Sequence, residues 1–276
     1  MPVLEVDIPT SLKKALESEA VQTGRSVDAI ITSMIAERLD LKLHTVFQVS
    51  TSGALVAGVF DSEVTVGTLL EHGDFGLGTF SGLDGEMVVF EGQAYQAHGS
   101  GQVTVAGPEA GAPFAIVTKF APEQDVQLDP CLDIKSFEES CDHYRPSDNL
   151  FYAMRLDGVF RKIKVRTVNP PAPGTRLVDA AKSQSVFDFT DITGTLVGIW
   201  SPSFSSEFSV RGYHFHFLSE DRAHGGHLLE LETEQLRLQV EPLNDFRLIL
   251  PETEHFLKAD LSKDISKELD SAEKSH

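Results

Sequence analysis

The chain has 276 residues, of which 41% are hydrophobic and 24% charged, a composition typical of a globular protein that buries a sizeable core. Its 42 acidic residues outnumber its 23 lysines and arginines, giving a formal net charge of −19. A surface this acidic repels nucleic acid and anionic membranes, and the sequence has no apolar run of about 18 residues to span a bilayer. We therefore expect a cytoplasmic protein with neither nucleic acid nor membrane as a partner.

The first 40 residues form a separate predicted unit of one strand and two helices. Alternating apolar residues over 4–8 predict the strand. Gly24 is placed to end the first helix, and Ser26 is placed to cap the second. A segment this short cannot enclose a core alone. We therefore expect residues 1–40 to pack against another surface.

The order of these elements resembles the ribbon-helix-helix fold, in which two chains pair their strands and interlock their helices. The resemblance implies a homodimer or a higher homo-oligomer. In that fold the outward side chains of the strand commonly contact DNA, but here they would be Glu5 and Asp7, which phosphates repel. The alternative is a helical hairpin that docks on its own chain.

Short apolar runs separated by Gly, Ser and Thr follow over residues 41–170 and predict strands. The first two runs are 46–49 and 55–60. Asp-Gly pairs at 84–85 and 157–158 predict two hairpin turns. The two cysteines, Cys131 and Cys141, lie in this part, and we expect both to be free, buried thiols.

A proline-rich stretch at 169–174 divides the remainder of the chain. It separates the β-rich half 41–170 from a second half, 171–276, that contains more strands and a charged tail. The predicted fold class is α+β and mainly β. It has two sheet-containing units, a mixed or antiparallel sheet and a smaller β-barrel-like unit, with the strand-helix-helix appendage at the N-terminus.

The second half contains a histidine-rich hairpin. Alternation of period two places His214 and His216 on one face of a strand. After a glycine-rich turn the chain returns, so that His227 comes to lie beside His216. Three neutral imidazoles with an open fourth position are a ligand set for catalytic zinc. His224 competes as a ligand but lies in the middle of the turn, where nothing fixes its direction.

Several separated motifs between about residue 43 and the C-terminus resemble the acetolactate decarboxylase family. They are 78–86, 157–158 with 164–167, 212–216 and 225–228. The resemblance implies a zinc-dependent lyase that converts 2-acetolactate to acetoin and carbon dioxide in the acetoin and butanediol branch from pyruvate. The first 40 residues are not part of the common family pattern.

The resemblance also implies the roles of individual residues. It gives Zn2+ ligands at His214, His216 and His227, catalytic residues at Glu86, Arg166 and Glu273, and substrate-binding residues at Thr79 and Arg166. Arg166 would hold the substrate carboxylate, and Glu86 would orient the hydroxyl or handle the proton. For the glutamate that the family places in the site from its C-terminal tail, Glu273 is the first choice and Glu268 the alternative.

Two other functions are compatible with parts of the sequence. The spacing from His214 and His216 to Glu220 resembles the first motif of cupins, which implies a metal-dependent oxygenase, although no second cupin motif follows. In a cupin Glu220 would be a ligand and His227 would not. A non-enzymatic dimeric regulator that senses a small acid or a metal is the second alternative.

Overall fold

The computed structural model describes residues 5–39, 42–172, 174–262, 265, 268 and 269. The helices are α1 (Thr10–Thr23), α2 (Val27–Arg38), α3 (Ser52–Val56), α4 (Val66–His72), α5 (Ile134–Asp142), α6 (Leu177–Ala181) and α7 (Glu254–Lys258). The strands are β1 (Thr45–Val49), β2 (Phe75–Thr79), β3 (Glu86–Phe90), β4 (Gln93–Ala97), β5 (Val103–Val105), β6 (Phe114–Thr118), β7 (Gln124–Leu128), β8 (Phe151–Thr167), β9 (Ser185–Ser201), β10 (Gly212–Ser219), β11 (Gly225–Leu243) and β12 (Asp245–Ile249). None of the described helices is both long and apolar enough to cross a membrane.

The strands form two sheets. The first has seven strands in the order β12-β1-β6-β2-β3-β4-β5, with β1 and β12 parallel and the other pairs antiparallel. The second has five strands in the order β10-β9-β8-β11-β7. Because β10 also pairs with β11, strands β8 to β11 close on themselves. The predicted mainly β fold with two sheets is therefore confirmed.

The two sheets share an apolar core. Leu77 and Ile116 of the first sheet belong to the same buried cluster as Val197, Ile199 and Leu243 of the second. Each such side chain contributes about 1.5–3 kcal/mol when it is fully buried. This shared core fixes the first sheet relative to the second, so that side chains from both can meet in one site.

Both sheets combine strands from the two sides of the proline-rich stretch. β12, at the end of the chain, completes the edge of the first sheet, whereas β7 and β8, which precede the stretch, belong to the second. The predicted boundary at residue 170 therefore does not coincide with a boundary between the sheets.

The hairpin turn predicted at Asp157-Gly158 is wrong. β8 runs without a break through both residues and pairs with β9 on one side and β11 on the other. A Cβ atom at Gly158 would lie 2.6 Å from the Leu236 side chain. The glycine thus allows β11 to approach closely, and the pairing on both sides of β8 overrides the local turn signal.

The strand predicted over residues 55–60 is also wrong, because this stretch begins within α3. The Thr51 side chain accepts a hydrogen bond from the Ala54 backbone N–H, which caps the helix at its start. α3 is buried throughout, so its apolar run reflects a buried helix rather than a strand.

In the N-terminal unit the two predicted helices are confirmed. Gly24 ends α1 in the left-handed conformation, and the Ser26 side chain caps α2 by accepting from the Ala29 N–H. Of the strand predicted over 4–8, the described part, from residue 5, has no strand assignment. None of the strands in the described part of the chain pairs with it.

Candidate metal centre

Three histidine side chains meet where β10 and β11 pair. His216 lies directly opposite His227, and His214 precedes His216 by two residues on the same face. All three are buried, and their candidate ligand nitrogens lie within 4.8 Å of one another. Of the residues that the structure describes, these are the ones that could form a metal centre. The hairpin geometry predicted from the sequence is thus confirmed.

The turn between the two strands positions His227 and keeps His224 out of the cluster. The Ser219 hydroxyl accepts from the His224 backbone N–H at 2.9 Å, and the Ser219 N–H donates to the His224 carbonyl at 2.9 Å. The His224 ring packs on Phe189, with ring centroids 4.6 Å apart. At Gly226, where φ is 148°, a Cβ atom would lie 2.6 Å from the Arg166 carbonyl oxygen. Glycine therefore lets β11 approach β8 beside the centre.

His216 is oriented by a backbone group of the opposite sheet. Its Nδ1 lies 2.8 Å from the Met87 carbonyl oxygen on β3 and therefore donates to it. This contact fixes the tautomer and directs Nε2 toward the other two histidines. A carbonyl that fixes one imidazole nitrogen in this way is the usual support for a metal-ligating histidine.

The imidazole of His214 is held neutral. Burial, together with the positive charge of Arg166, lowers its pKa to about 3. A neutral imidazole has a lone pair available for a metal ion, whereas a protonated one does not. The donor set of three buried imidazoles therefore fits a divalent transition metal.

Arg166 lies in the same cross-strand row as two of the histidines. On β8 it is opposite His227 of β11, which in turn is opposite His216 of β10. The Arg166 side chain is buried, and its Nη1 donates to the Gln184 Oε1 at 2.9 Å. A guanidinium beside the histidines provides the local positive charge that an anionic substrate requires in so acidic a protein.

Glu86 and Thr79 reach the site from the first sheet. They lie opposite each other where β2 and β3 pair, and both are buried. The Glu86 Oε2 is 3.7 Å from the His216 Nε2. The Thr79 hydroxyl donates to the Gly85 carbonyl at 2.7 Å. The structure thus brings together Glu86, Thr79 and Arg166 with two of the three histidines around one cavity.

This cavity lies between the two sheets and has a volume of about 30 Å³. Its polar lining comes from the residues just described, whereas its apolar wall consists of Leu55, Leu83, Phe114, Val168 and Leu177. A few polar groups that converge beside an apolar wall are the arrangement that orients a small molecule.

The glutamate expected from the C-terminal tail is not placed by the structure, because Glu273 lies outside the described residues. The alternative, Glu268, pairs with Arg176 at 2.5 Å and is partly exposed, so it is directed away from the cavity. Ile265 and Leu269 of the same tail pack in the cluster that includes the cavity-wall residue Leu177. Ile265 and Leu269 therefore support this part of the wall.

The geometry does not favour the cupin alternative. Glu220 is exposed in the turn, and the third imidazole of the described cluster is His227. A cupin-type ligand set would instead require Glu220 to be a ligand and His227 not to be one.

Sequence reasoning missed three contributors to the site. The Met87 carbonyl orients His216, Gln184 binds Arg166, and α3 and α6 supply part of the apolar wall. A backbone carbonyl has no signature in a sequence. Gln184 lies in a connection with no recognisable motif, so no local signal could have indicated it.

Comparison with known proteins gives consistent matches. Residues 46–263 match the family model of alpha-acetolactate decarboxylase. The alpha-acetolactate decarboxylase of Bacillus licheniformis is 39% identical over 241 residues, which cover 87% of this chain and 95% of that protein. The corresponding protein of Methanosarcina mazei is 40% identical over 229 residues, covering 83% and 80%. The crystal structure of alpha-acetolactate decarboxylase from Bacillus subtilis strain 168 covers 83% of this chain and 99% of its own, with a TM-score of 0.81 and 35% identity.

Proposed function

The chain belongs to the alpha-acetolactate decarboxylase family, and on that premise we propose that it converts 2-acetolactate to acetoin and carbon dioxide. The observation that carries the proposal is a cluster of three buried imidazoles, two of which line one small cavity together with Arg166 and Glu86. The reaction belongs to the acetoin and butanediol branch from pyruvate.

The reaction breaks the bond between the carboxyl carbon and C2 of the substrate. The electron pair of that bond moves into the adjacent ketone, which gives an enediolate, and a proton must then be added at C2. We propose that His214, His216 and His227 hold Zn2+, because neutral imidazoles are preferred zinc ligands. When bound, the metal supplies Lewis-acid stabilisation of negative charge on oxygen.

Arg166 binds the substrate carboxylate. Its buried guanidinium can form paired hydrogen bonds with both carboxylate oxygens, which fixes the substrate and offsets the acidic field of the protein. Thr79 lies on the same cavity wall and contributes to the fit of the substrate.

Glu86 is the proposed acid–base residue. Its carboxylate lies beside His216 on the wall formed by the first sheet, from where it can orient the substrate hydroxyl and deliver a proton to one face of the enediolate. The apolar wall, which includes Leu55 and Phe114, limits water around the developing charge. A glutamate of the C-terminal tail, Glu273, is proposed as a further catalytic residue on the family resemblance alone.

A direct assay tests the function. The purified protein is loaded with zinc and incubated with racemic 2-acetolactate, and acetoin and carbon dioxide are measured over time. We expect equal amounts of both products, loss of activity after chelation, and recovery on adding zinc. If acetoin forms no faster than in a protein-free control, the proposal is wrong.

We also propose that residues 1–40 join two copies of the chain. The described part lies outside the residues that match the family model, and it exposes several large apolar side chains: Val6, Ile8, Leu12, Met34 and Ile35. Pairing with a second copy would cover them. Light scattering should give a dimer or larger for the whole chain and a smaller mass for a chain that begins at residue 42.

A cytoplasmic location is proposed from the thiols. Cys131 and Cys141 are both free and buried, and burial raises the pKa of Cys141. Unpaired cysteines are usual in a reducing compartment.

A further inference from the structure

Arg166 can bind a carboxylate productively only if its guanidinium is held in one orientation. The side chain is long and has several rotatable bonds, so a hydrogen-bond partner within the protein decides where its donors point. Gln184 provides such a partner, accepting from Nη1 at 2.9 Å. It lies between α6, whose Leu177 lines the cavity, and β9, which pairs with β8.

Gln184 is itself held in place on both sides. The Asn169 side-chain amide donates to the Ser183 carbonyl at 2.6 Å and to the Ser185 hydroxyl at 3.2 Å. The two neighbours of Gln184 are thus attached to the chain just beyond the end of β8. The Gln184 N–H also donates to the Ala181 carbonyl at 3.4 Å. A backbone fixed in this way can orient a side chain without depending on the substrate.

The amide of Gln184 adds a hydrogen bond to Arg166 without adding a charge. A glutamate of the same shape could also accept from Nη1, but its charge would compete with the substrate carboxylate for the guanidinium. The difference matters because the cavity must attract an anion within a protein of net charge −19.

We propose that Gln184 is a positioning residue that orients Arg166 toward the carboxylate of the substrate through a neutral hydrogen bond. This inference rests on the function proposed above. It predicts that Gln184 affects the binding of ligands that have a carboxylate and leaves the binding of ligands without one unchanged.

The test compares two ligands in two variants. Zinc-loaded wild type, Q184A and Q184E are titrated calorimetrically with 2-hydroxyisobutyrate, a hydroxy acid without the ketone, and with acetoin, which lacks the carboxylate. The matched controls are Q127A and Q127E, since Gln127 is an exposed glutamine of the edge strand β7. KM and kcat for 2-acetolactate are measured in parallel, and thermal unfolding and zinc content verify the fold of each variant.

We expect Q184A to weaken hydroxy-acid binding by about tenfold and to raise KM more than it lowers kcat, since about one charge-assisted hydrogen bond loses its geometry. Q184E should weaken hydroxy-acid binding at least as much, although it retains the acceptor. Acetoin binding should stay within about twofold of the wild type in both, and both Gln127 variants should bind like the wild type.

Unchanged hydroxy-acid binding in Q184A overturns the inference. The inference is also overturned if Q184A binds both ligands equally more weakly and Q184E binds both like the wild type. That pattern would indicate that Gln184 has a purely structural role. If Q184A does not fold, the ligand comparison in Q184E decides alone. The titrations need no turnover, so a wild type that forms no acetoin rejects the proposed decarboxylation while the role of Gln184 is still decided by binding.

Discussion

The histidines of the candidate metal centre and His44 show how one residue type can have opposite charge preferences in two regions. At the centre, burial and a neighbouring arginine lower the pKa of His214 to about 3 and keep its ring neutral. His44 lies just before β1, where its Nδ1 is 3.1 Å from Glu241 and its Nε2 is 3.7 Å from Glu123. The contact with the Glu241 carboxylate is the largest cause that raises the pKa of His44, and burial opposes it.

The difference teaches that burial alone does not set the charge of a histidine. Burial lowers the pKa of both histidines, but at His44 the nearest polar partner outweighs it. His216 donates to a neutral carbonyl, and Glu86 lies 3.7 Å away, beyond hydrogen-bond distance. His44 instead contacts a carboxylate that is completely buried. The centre is thereby suited to a metal cation, whereas the raised pKa of His44 favours its charged form.

Removal of one imidazole should have the largest effect on zinc binding and on activity, because it takes away one of the three proposed ligands. We expect H216A and H227A to retain less than about a tenth of the zinc of the wild type and to lose at least about a thousandfold in acetoin formation, because two imidazoles bind zinc far more weakly than three. Zinc content by mass spectrometry and initial rates provide the measurement.

His224 offers a matched control for this prediction. It lies in the same hairpin, three residues from His227, but its ring packs on Phe189. H224A should keep its zinc and its rate. Loss of zinc in H224A with retention in H227A would show that the ligand set has been assigned to the wrong face of the turn.

The next prediction separates metal binding by the histidines from proton transfer by Glu86. E86Q preserves the size of the side chain but removes the carboxylate, so we expect zinc content near that of the wild type and a fall in kcat of about 10²–10⁴-fold. The control is E220A, which removes an exposed carboxylate from the turn. Loss of zinc in E220A would favour the cupin ligand set, and normal turnover in E86Q would remove Glu86 from the mechanism.

The sequence alone predicted the three-histidine cluster well because that cluster is local. Alternation along a strand and the return of a hairpin place His214, His216 and His227 together without reference to the rest of the fold. Glu86 lies in the other sheet, and only packing of the two sheets brings it to His216. Its role therefore came from the family resemblance and not from spacing.

The failures of prediction arise where tertiary pairing overrides a local signal. Asp157-Gly158 has the sequence of a turn, yet β8 continues because strands lie on both sides of it. Gln184 has no local signal at all, since its function depends on Arg166, eighteen residues earlier in the sequence. Contacts of this kind are set by the assembled sheets and cannot be read from one segment.

The charged state of His44 should appear as a pH dependence of stability. Its pKa in the folded chain lies above the ordinary value, so the folded state holds this proton more tightly than the unfolded state does. The stabilisation is complete below about pH 6.5, the ordinary pKa of histidine, and is lost as the pH rises through the folded-state pKa. Burial also raises the pKa of Glu241, which acts in the same direction.

We expect the free energy of unfolding to fall by about 1–2 kcal/mol more in the wild type than in H44Q between pH 6 and pH 9, because H44Q lacks the titrating group that contacts Glu241. Denaturant titration at saturating zinc provides the measurement and keeps the metal contribution common to both proteins. H255Q is the control, because His255 is exposed beside Asp61 on the surface. Equal pH slopes in the wild type and H44Q would show that His44 is not charged in the folded protein.

Arg25 allows the smallest and most specific test of the comparison. This residue, between α1 and α2, lies 2.7 Å from Glu123, and its positive charge lowers the pKa of His44. R25Q should therefore raise the pKa of His44 further, as followed by the NMR titration of its ring. The main partner, Glu241, is on β11 and stays in place if the N-terminal helices loosen, so the largest cause of the shift persists. A pKa that falls in R25Q would instead show that α1 and α2 supply the burial around His44, and that the contrast between the two regions depends on the docking of the appendage.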